Sequence, residues 1–333
     1  MDLSKAQSTA FEKARARGSG DQGIALTDDS VRALVALVAR DLDLPDVEGI
    51  DPLDSREYYD IAVDELTTTG EASALCAYCS LLQAGPVDTD TYFLSLVALH
   101  RARLKFANIM RLQASPTLEQ VGPRGLLQYG SLSTEALGSL LIVRKWFYDV
   151  DNRSAQETGY LFEPVIAGAV GGVPVSARSS PVRRRGTGPG RQLDCLRGTT
   201  AYEVKVRVTI AASGQGRWQE ELSFPDDCQA SGYEPVLIVF DGTDNPKLSE
   251  LREAFTNHGG QAHVGQGAWE YLNSEAGPTM STFLEKYIRS PLTDLLDRTP
   301  AEGDLPPVSI LLRPDRVDIG VGKTTTRVDR NEE

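Results

Sequence analysis

The spacing of apolar residues predicts a mostly helical region over the first part of the chain. Apolar side chains recur every three or four positions, which is the period of an amphipathic helix, in four segments: VRALVALVARDL (31–42), REYYDIAVDEL (56–66), TYFLSLVALHRARLKFANIMRL (91–112) and TEALGSLLIVRKWFYDV (134–150). We see no strand-like run among them. We therefore expect a helical region over residues 1–150.

The pattern changes after residue 150, where helical and strand-like segments alternate. A helix is predicted over SAQETGYLFEPVIAGAVGG (154–172), and strands over RQLDCL (191–196) and AYEVKVRVTI (201–210). The continuous apolar run PVLIVF (235–240) is typical of a buried central strand. The series continues with helices over 217–229, 246–258 and 267–289, a short strand AHV (262–264), and a closing hairpin of SILLR and RVDIGV (309–321).

These elements predict an α/β fold with a mixed sheet flanked by helices and preceded by the helical N-terminal region. We expect the α/β core to span residues 151–320 and the last residues, 321–333, to form a loose tail. No apolar run approaches the about 18 residues that a bilayer span needs, and the N-terminus has no apolar signal core. We therefore expect a cytoplasmic protein without a membrane partner.

The four cysteines, Cys76, Cys79, Cys195 and Cys228, indicate little metal or redox chemistry. Cys76 and Cys79 form a CxxC pair, but no second cysteine pair or histidine pair completes a zinc-binding set. We interpret the pair as reduced and buried on a short apolar helix, because free cysteine packs like a small hydrophobic side chain.

Charge is distributed unevenly along the chain, whose net charge is −13. Taken alone, an acidic balance argues against nucleic-acid binding, because contacts to phosphate need positive surface. Between residues 175 and 219, however, nine basic and two acidic side chains give a net charge of +7, which leaves −20 for the rest of the chain. This polarity suits a protein that meets a polyanion at one face and is repelled elsewhere.

Within the basic stretch, the strand candidate 201–210 carries an acid and a lysine on one face. Side chains of a strand alternate between its faces, so Glu203 and Lys205 point away from the apolar face that begins at Tyr202. The preceding strand candidate contains Asp194. If a four-residue loop (197–200) joins the two strands, Asp194 lies directly opposite Glu203.

Two carboxylates in that position repel each other, since opposed side chains have Cβ atoms about 4.5–5.5 Å apart. A divalent cation between them, or protonation of one of them, relieves the repulsion. Mg²⁺ takes a few carboxylate oxygens and keeps other positions for water and phosphate. With Lys205 beside the ion, Asp194 and Glu203 suit phosphodiester hydrolysis, in which the metal polarises a water molecule and the lysine stabilises developing charge.

A further acid precedes this hairpin on the predicted helix 154–172. Glu163 shares an apolar face with Ile166 and Val170, where a carboxylate is costly without a partner. It is a candidate for a direct or indirect contact to the metal. The alternatives are that Glu163 is only a helix-end acid before Pro164, or that Glu157 takes the role.

Asp194, Glu203-Val204-Lys205 and the upstream helix acid resemble the core motif of PD-(D/E)xK nucleases, with Leu193 in place of the usual proline. The surrounding residues are similar to ApaLI-like type II restriction endonucleases. The similar segments are YLFEPVIAGAVGGVP (160–174), GRQLDCL (190–196), AYEVKVRVTIAASGQGRWQEELSF (201–224) and PVLIVFDGT (235–243), about a quarter of the chain.

The resemblance implies a restriction-endonuclease-like core and a homodimer that cuts both strands of a short palindrome in double-stranded DNA. The cofactor would be Mg²⁺ and the products would carry 5′-phosphate ends, with GTGCAC, the site of the family's namesake, as the candidate sequence. Asp194, Glu203 and the backbone carbonyl of Val204 would hold the metal, and Lys205 would be the catalytic lysine. The helical region 1–150 would dimerise, embrace DNA or buttress the core.

Several basic and amide side chains are candidates for DNA contacts. Arg183, Arg184 and Arg185 lie in a Gly/Pro-rich loop, and we interpret them as phosphate contacts because clustered arginines on a loop give charge without fixed geometry. Arginine reads guanine and glutamine reads adenine at base edges, although phosphate contact or helix capping is an equal alternative. The remaining candidates are Arg191, Arg207, Gln215, Arg217 and Gln219.

Two other functions remain open from the sequence. One is a PD-(D/E)xK nuclease that acts in DNA repair or junction resolution. The other is a non-catalytic DNA-binding protein that carries a charged hairpin. Cleavage of plasmid DNA into discrete bands, into a smear, or not at all distinguishes the three.

Overall fold

The computed structural model describes residues 3–17, 23–208 and 215–330, with the side chains of 215–217 and 302 outside the description. Six helices come first: α1 (Lys5–Arg15), α2 (Asp28–Asp41), α3 (Ala74–Ala84), α4 (Thr89–Leu112), α5 (Leu118–Gly125) and α6 (Thr134–Ala169). The five later helices are α7 (Gln215–Ala230), α8 (Pro246–Asn257), α9 (Gln266–Glu275), α10 (Pro278–Leu284) and α11 (Ser290–Arg298), the last two joined by a π-helical turn.

A mixed five-stranded sheet forms the centre of the molecule. Its strands are β1 (Val173–Val175), β2 (Leu193–Arg197), β3 (Thr200–Lys205), β4 (Glu234–Val239) and β5 (Gln261–Val264), in the spatial order of the sequence. The β1–β2 and β2–β3 pairs are antiparallel, whereas β3–β4 and β4–β5 are parallel. The predicted mixed α/β fold and the central apolar strand are therefore confirmed.

The two faces of this sheet pack against different helices. Tyr202 and Ile238 join a large apolar cluster that also contains Leu34 of α2, Phe93 of α4 and Ile166 of α6. The opposite face contributes Ala201 and Leu237 to a second cluster that contains helix residues such as Phe224 of α7 and Leu251 of α8. Because the N-terminal helices share a core with the sheet, they support the β2–β3 hairpin from one face.

A second sheet closes the chain. It contains β6 (Val308–Leu312), β7 (Arg316–Val321) and β8 (Thr324–Asp329), paired antiparallel in that order. Its Val317 packs with Ile109 of α4 and Trp146 of α6. The loose tail expected from residue 321 is therefore a strand as far as Asp329, because β8 pairs with β7 along its whole length.

Helix α6 differs from the prediction in its length. The two helices expected over 134–150 and 154–172 form a single helix from Thr134 to Ala169, so the boundary expected at residue 150 falls inside it. Pro164 lies within this helix, where its missing N–H removes one backbone hydrogen bond. The two halves of α6 therefore connect the N-terminal helices to the first strand of the sheet.

Two smaller predictions about the N-terminal region are wrong. Segment 56–66 forms only a 3₁₀ turn at Tyr58–Asp60, with Tyr58, Ile61 and Leu66 buried at irregular spacing rather than along a helix face. The CxxC pair lies on α3 as expected, but Cys76 is exposed and Cys79 is half-buried. In the described residues, no helix has both the length and the apolar character of a membrane span.

Candidate active site

The hairpin of β2 and β3 brings the predicted acids together. Leu196 pairs with Ala201, as predicted, and Cys195 pairs with Tyr202. Arg197 also pairs with Thr200, so the loop is a two-residue turn at Gly198-Thr199 rather than the predicted four-residue loop. Gly198 has φ +56, a conformation that glycine adopts without strain. One step beyond the Cys195–Tyr202 pair, this register places Asp194 opposite Glu203.

Asp194 is largely removed from water. Its Oδ2 atom accepts a hydrogen bond from the Val204 backbone N–H at 2.8 Å, which fixes the carboxylate against β3. Burial raises the pKa of Asp194 to about 8, and the negative charge of Glu203 adds to the rise. The Val204 N–H and the Lys205 ammonium act in the opposite direction and only partly offset these effects.

Lys205 lies between two acids. Its Nζ atom is 3.0 Å from Oε1 of Glu203 and 3.4 Å from Oε1 of Glu221 on α7. All three side chains are largely buried. Burial alone lowers the pKa of a lysine, but Glu203 and Glu221 together raise the pKa of Lys205 above its usual value. The ammonium is therefore charged and is held at a fixed place beside Asp194 and Glu203.

Sequence reasoning did not identify Glu221 as part of this group. Nothing in the linear pattern distinguishes it from the adjacent Glu220, since both belong to the helix that follows the catalytic strand. The approach of α7 to β3 turns Glu221 toward Lys205, whereas the Glu220 carboxylate pairs with Arg184 at 2.6 Å.

Between the two candidate helix acids, the geometry favours Glu163. The pKa of Glu163 is raised by burial and by the charge of Glu203, and lowered by Lys205, so its carboxylate belongs to the same electrostatic group. Glu157 instead pairs with Lys105 of α4 at 2.9 Å. Glu157 therefore joins α4 to α6 and does not face the hairpin acids.

An open cleft is lined by Glu163, Lys205 and Glu221. Its volume is about 580 Å³, and one wall is a face of α6 that carries Ser154, Thr158 and Glu163. The opposite wall comes from β3 and the residues after it, including Lys205 and Arg207. The strand predicted to continue to residue 210 ends at Lys205, so Arg207 lies on an irregular segment at the mouth of the cleft, where it is exposed.

The three clustered arginines, Arg183–Arg185, form a turn that is hydrogen-bonded to α7 and to the residues after it. The Arg183 backbone N–H donates to Ser231 Oγ at 2.9 Å, and the Arg185 N–H donates to Asp227 Oδ1 at 2.6 Å. Arg185 has φ +50, an uncommon conformation for a residue with a Cβ. The Arg183 and Arg185 side chains are exposed, so the turn displays charge from a fixed position.

Arg191 has a packing role, and the structure contradicts its prediction as a surface DNA contact. Its guanidinium is buried, pairs with Asp227 and donates to Ser223 Oγ at 3.2 Å and to the Glu220 carbonyl. The Phe224 ring lies against it at 5.2 Å. With its donors directed inward, Arg191 joins the basic turn to α7. Gln219 is exposed on α7, whereas the side chains of Gln215 and Arg217 lie outside the described residues.

The donor set fits a divalent cation only when backbone or solvent oxygens complete it. Among the residues that the structure describes, no group of three or more Asp, Glu, His or Cys side chains could hold a metal ion. Asp194 and Glu203 nevertheless form a carboxylate pair, and burial opposes the ionisation of Asp194 by raising its pKa. A cation between two such groups is favoured, since it neutralises a charge that the low-dielectric surroundings destabilise.

Comparison with known proteins is consistent with this geometry. The profile of the ApaLI-like restriction endonuclease family matches residues 61–289. The chain is 46% identical over 297 residues to the type II restriction enzyme ApaLI of Acetobacter pasteurianus, a match that covers 84% of this chain and 79% of that protein. No solved structure matches the chain significantly.

The family match covers more than half of the chain, and the resemblance predicted from the hairpin and its flanking segments is confirmed. The mixed sheet with helices on both faces is consistent with a restriction-endonuclease-like fold. The chain belongs to the ApaLI-like restriction endonuclease family.

Proposed function

We propose that this protein is a type II restriction endonuclease that hydrolyses both strands of double-stranded DNA at a short palindromic site. The observation that carries the proposal is the group formed by Asp194, Glu203 and Lys205 on adjacent strands, with Lys205 in the lining of an open cleft. Family membership supports the reaction class, and GTGCAC is the candidate site by relation to ApaLI.

In this proposal Asp194 and Glu203, with the Val204 carbonyl, hold Mg²⁺. When bound, the ion polarises the scissile phosphate and lowers the pKa of a water molecule that attacks it. The Val204 N–H orients Asp194, since it donates to Oδ2. Glu163, on α6, adds negative charge near Glu203 and Lys205. Among the described residues it does not form, with Asp194 and Glu203, a group of three side chains that could all bind the ion.

Lys205 stabilises the negative charge that develops on the phosphate, and it is the group best placed to do so. Glu203 and Glu221 keep the ammonium charged and fixed in position, so little reorganisation accompanies the reaction. In this proposal, hydrolysis breaks the bond to the 3′ oxygen, so the phosphate stays on the 5′ end of the product.

The exposed arginines supply positive surface on the same side of the sheet. Arg207 lies at the mouth of the cleft, while Arg183 and Arg185 extend from the basic turn near α7. Arg184 is partly neutralised by Glu220. We assign these four residues to phosphate contacts, and we assign Gln215, Arg217 and Gln219, at the start of α7, to the base edges.

Digestion of a fully sequenced phage DNA tests the proposal. We expect discrete fragments with Mg²⁺, none with EDTA, and cut ends that map to GTGCAC or a related palindrome. Lys205→Ala is expected to reduce the rate by about 10²–10³-fold, as removal of one charge-stabilising donor does in other enzymes. Lys105→Ala is the matched control, since Lys105 is a largely buried lysine of α4 that pairs with Glu157 of α6 instead of the hairpin acids.

The outcome also separates the alternative functions. A smear of fragments, or cutting that depends on DNA structure, would indicate a repair or junction nuclease instead of a restriction enzyme. Binding of DNA without cleavage in Mg²⁺ and Mn²⁺ by folded protein would leave a non-catalytic DNA-binding protein.

A further inference from the structure

One end of α6 presents an apolar stripe that the described chain leaves partly exposed. Ala136, Leu140, Val143 and Phe147 follow one another at spacings of four, three and four residues, which places them on one face of the helix. Ala136, Leu140 and Phe147 are exposed and Val143 is half-buried. Leu137 and Leu141, on another face, pack against α5, so α5 does not cover the stripe.

The residues before α6 extend the apolar surface. Leu126 is 75% exposed, Leu127 is 95% exposed and Tyr129 is 72% exposed. Single exposed apolar side chains are ordinary, but contiguous groups of them mark interaction surfaces. We call the segment from Leu118 to Tyr148, which contains both groups, the apolar arm.

We infer that the apolar arm is the surface on which two copies of this chain associate. A helix stripe with this alternation of three and four residues is the seam by which one helix packs against another of the same kind.

The small net charge of the arm favours contact between two arms over contact between other parts of two chains. The arm carries three basic residues, Arg124, Arg144 and Lys145, and two acidic residues, Glu119 and Glu135, although the chain as a whole has a net charge of −13. Two copies that meet through an average part of the surface repel each other, whereas two arms meet with almost no net charge.

The same face of α6 explains how a dimer serves the proposed function, on which this step rests. Beyond Phe147, the four–three–four spacing continues with Asp151, Ser154 and Thr158. These residues are polar and line the cleft that contains Glu163 and Lys205. The helix face is therefore apolar at one end and forms a wall of the catalytic cleft at the other.

A two-fold axis that runs along the two α6 helices between the arms directs both catalytic clefts toward that axis. Thr158 lies about 27 Å along α6 from Leu140, at 1.5 Å per residue. A palindrome has the same two-fold symmetry as a homodimer, so each cleft can take one strand of a duplex held between the polar halves of the two α6 helices.

The molar mass of the full chain in solution tests the interface. Light scattering after size exclusion, without DNA or metal, is expected to give twice the 36.2 kDa chain mass. Leu140→Lys and Leu127→Lys each place like charges on both sides of the interface and are expected to weaken the dimer at least tenfold. Both side chains are substantially exposed, and circular dichroism checks that the variants fold.

Leu296→Lys is the matched control, because Leu296 is a 74% exposed leucine on α11, and its mass should remain that of the dimer. A monomeric wild-type chain at about 10 μM, or a dimer that survives both arm substitutions, would overturn the inference and leave the stripe to a different partner. A dimer that the arm variants dissociate, but that never cuts DNA, would retain the interface and reject the nuclease instead.

A second readout tests the two-fold arrangement on DNA. Variants with a broken arm keep Asp194, Glu203 and Lys205, so they should convert supercoiled plasmid mainly to the nicked form, while wild type yields linear DNA. Equal rates of linearisation by wild type and a monomeric Leu140→Lys variant would show that the arm does not align the two clefts.

Discussion

At the scale of single residues, the site is defined by charges that the fold keeps from water. Asp194 has a raised pKa because burial and Glu203 both oppose its ionisation, whereas Lys205 remains charged because two carboxylates contact it. Without a metal ion, the folded chain therefore holds a proton on Asp194 at neutral pH that the unfolded chain releases. This raised pKa lowers the stability of the folded chain at neutral pH, and a bound cation that takes the place of the proton restores it.

Asp194→Asn should separate metal binding from folding. The amide keeps the shape of the side chain and needs no proton to be neutral, so we expect a higher melting temperature in EDTA and a loss of cleavage of at least about 100-fold. Wild type should gain stability on titration with Mg²⁺, by about 2.7 kcal/mol at a hundred times the dissociation constant, and the variant should not. Differential scanning fluorimetry measures both effects.

Asp294→Asn on α11 is the control, since Asp294 is an exposed acid paired with Arg298. If Mg²⁺ stabilised Asp194→Asn as much as wild type, Asp194 would not be a metal ligand.

The lowered pKa of His100 makes the free energy of unfolding depend on pH. His100 is buried on α4 beside Tyr58, and burial, with the nearby charge of Arg103, lowers its pKa to about 4 from 6.5. The unfolded chain therefore binds a proton between pH 6.5 and 4 that the folded chain does not, so stability falls as the pH decreases through this window. Between pH 7 and pH 5 the loss is about 2 kcal/mol.

Urea unfolding of wild type and His100→Gln at both pH values measures this contribution. The variant should lose about 2 kcal/mol less than wild type between pH 7 and 5. His258→Gln, at a more exposed histidine on the surface, should keep the wild-type dependence. Identical losses for wild type and His100→Gln would show that His100 is not the residue that titrates.

At the scale of elements, helix α7 organises both sides of the catalytic hairpin. Its Glu221 contacts Lys205, and its Asp227 binds the Arg185 backbone and the Arg191 guanidinium. The basic turn and Lys205 are thereby attached to one helix. A shift of α7 would therefore move the phosphate-contacting turn and the ammonium together.

Arg191→Met tests this attachment. The substitution leaves Asp227 as a buried carboxylate without its main cation, and we expect a loss of about 3–5 kcal/mol in unfolding free energy. Arg184→Met is the control, because the Arg184–Glu220 pair is exposed and should contribute about 0–1 kcal/mol. Guanidinium unfolding measures both. If Arg191→Met bound DNA more weakly but was as stable as wild type, Arg191 would be a phosphate contact and not a packing residue.

At the scale of the whole molecule, the two sheets are joined through α4 and α6. The five-stranded sheet packs on the second half of α6 through residues such as Ile166, and the C-terminal sheet packs near its first half, around Trp146. Trp146 is fully buried and donates from Nε1 to the Gln113 carbonyl at 3.1 Å. The described helices and sheets should therefore unfold as a unit.

Trp146→Ala should reveal this coupling. We expect a loss of about 3–5 kcal/mol, with a single cooperative transition in both wild type and variant. Phe106→Ala, at a partly exposed aromatic residue on α4, should cost much less. Unfolding followed by far-ultraviolet circular dichroism distinguishes the outcomes, and two separate transitions in the variant would show that the C-terminal sheet unfolds independently.

The sequence by itself determined the features that depend on neighbours along the chain. Alternation in 201–205 and the short turn at Gly198-Thr199 are local, so the facing of Glu203 and Lys205 and the pairing of Leu196 with Ala201 could be predicted. The continuous apolar run of β4 likewise indicated a central strand, because a strand covered on both faces has no polar side.

The tertiary structure alone decided which residues far apart in sequence meet. The helix pattern does not distinguish Glu163 from Glu157, and only the ion pair of Glu157 with Lys105 in the structure does so. Similarly, only the ion pair with Asp227 distinguishes the buried Arg191 from the exposed arginines near it in sequence. Glu221 joins Lys205 only because α7 packs beside the sheet. Burial and charge pairing depend on the packing of whole elements, and a one-dimensional pattern specifies the face of an element but not the partner that this face will meet.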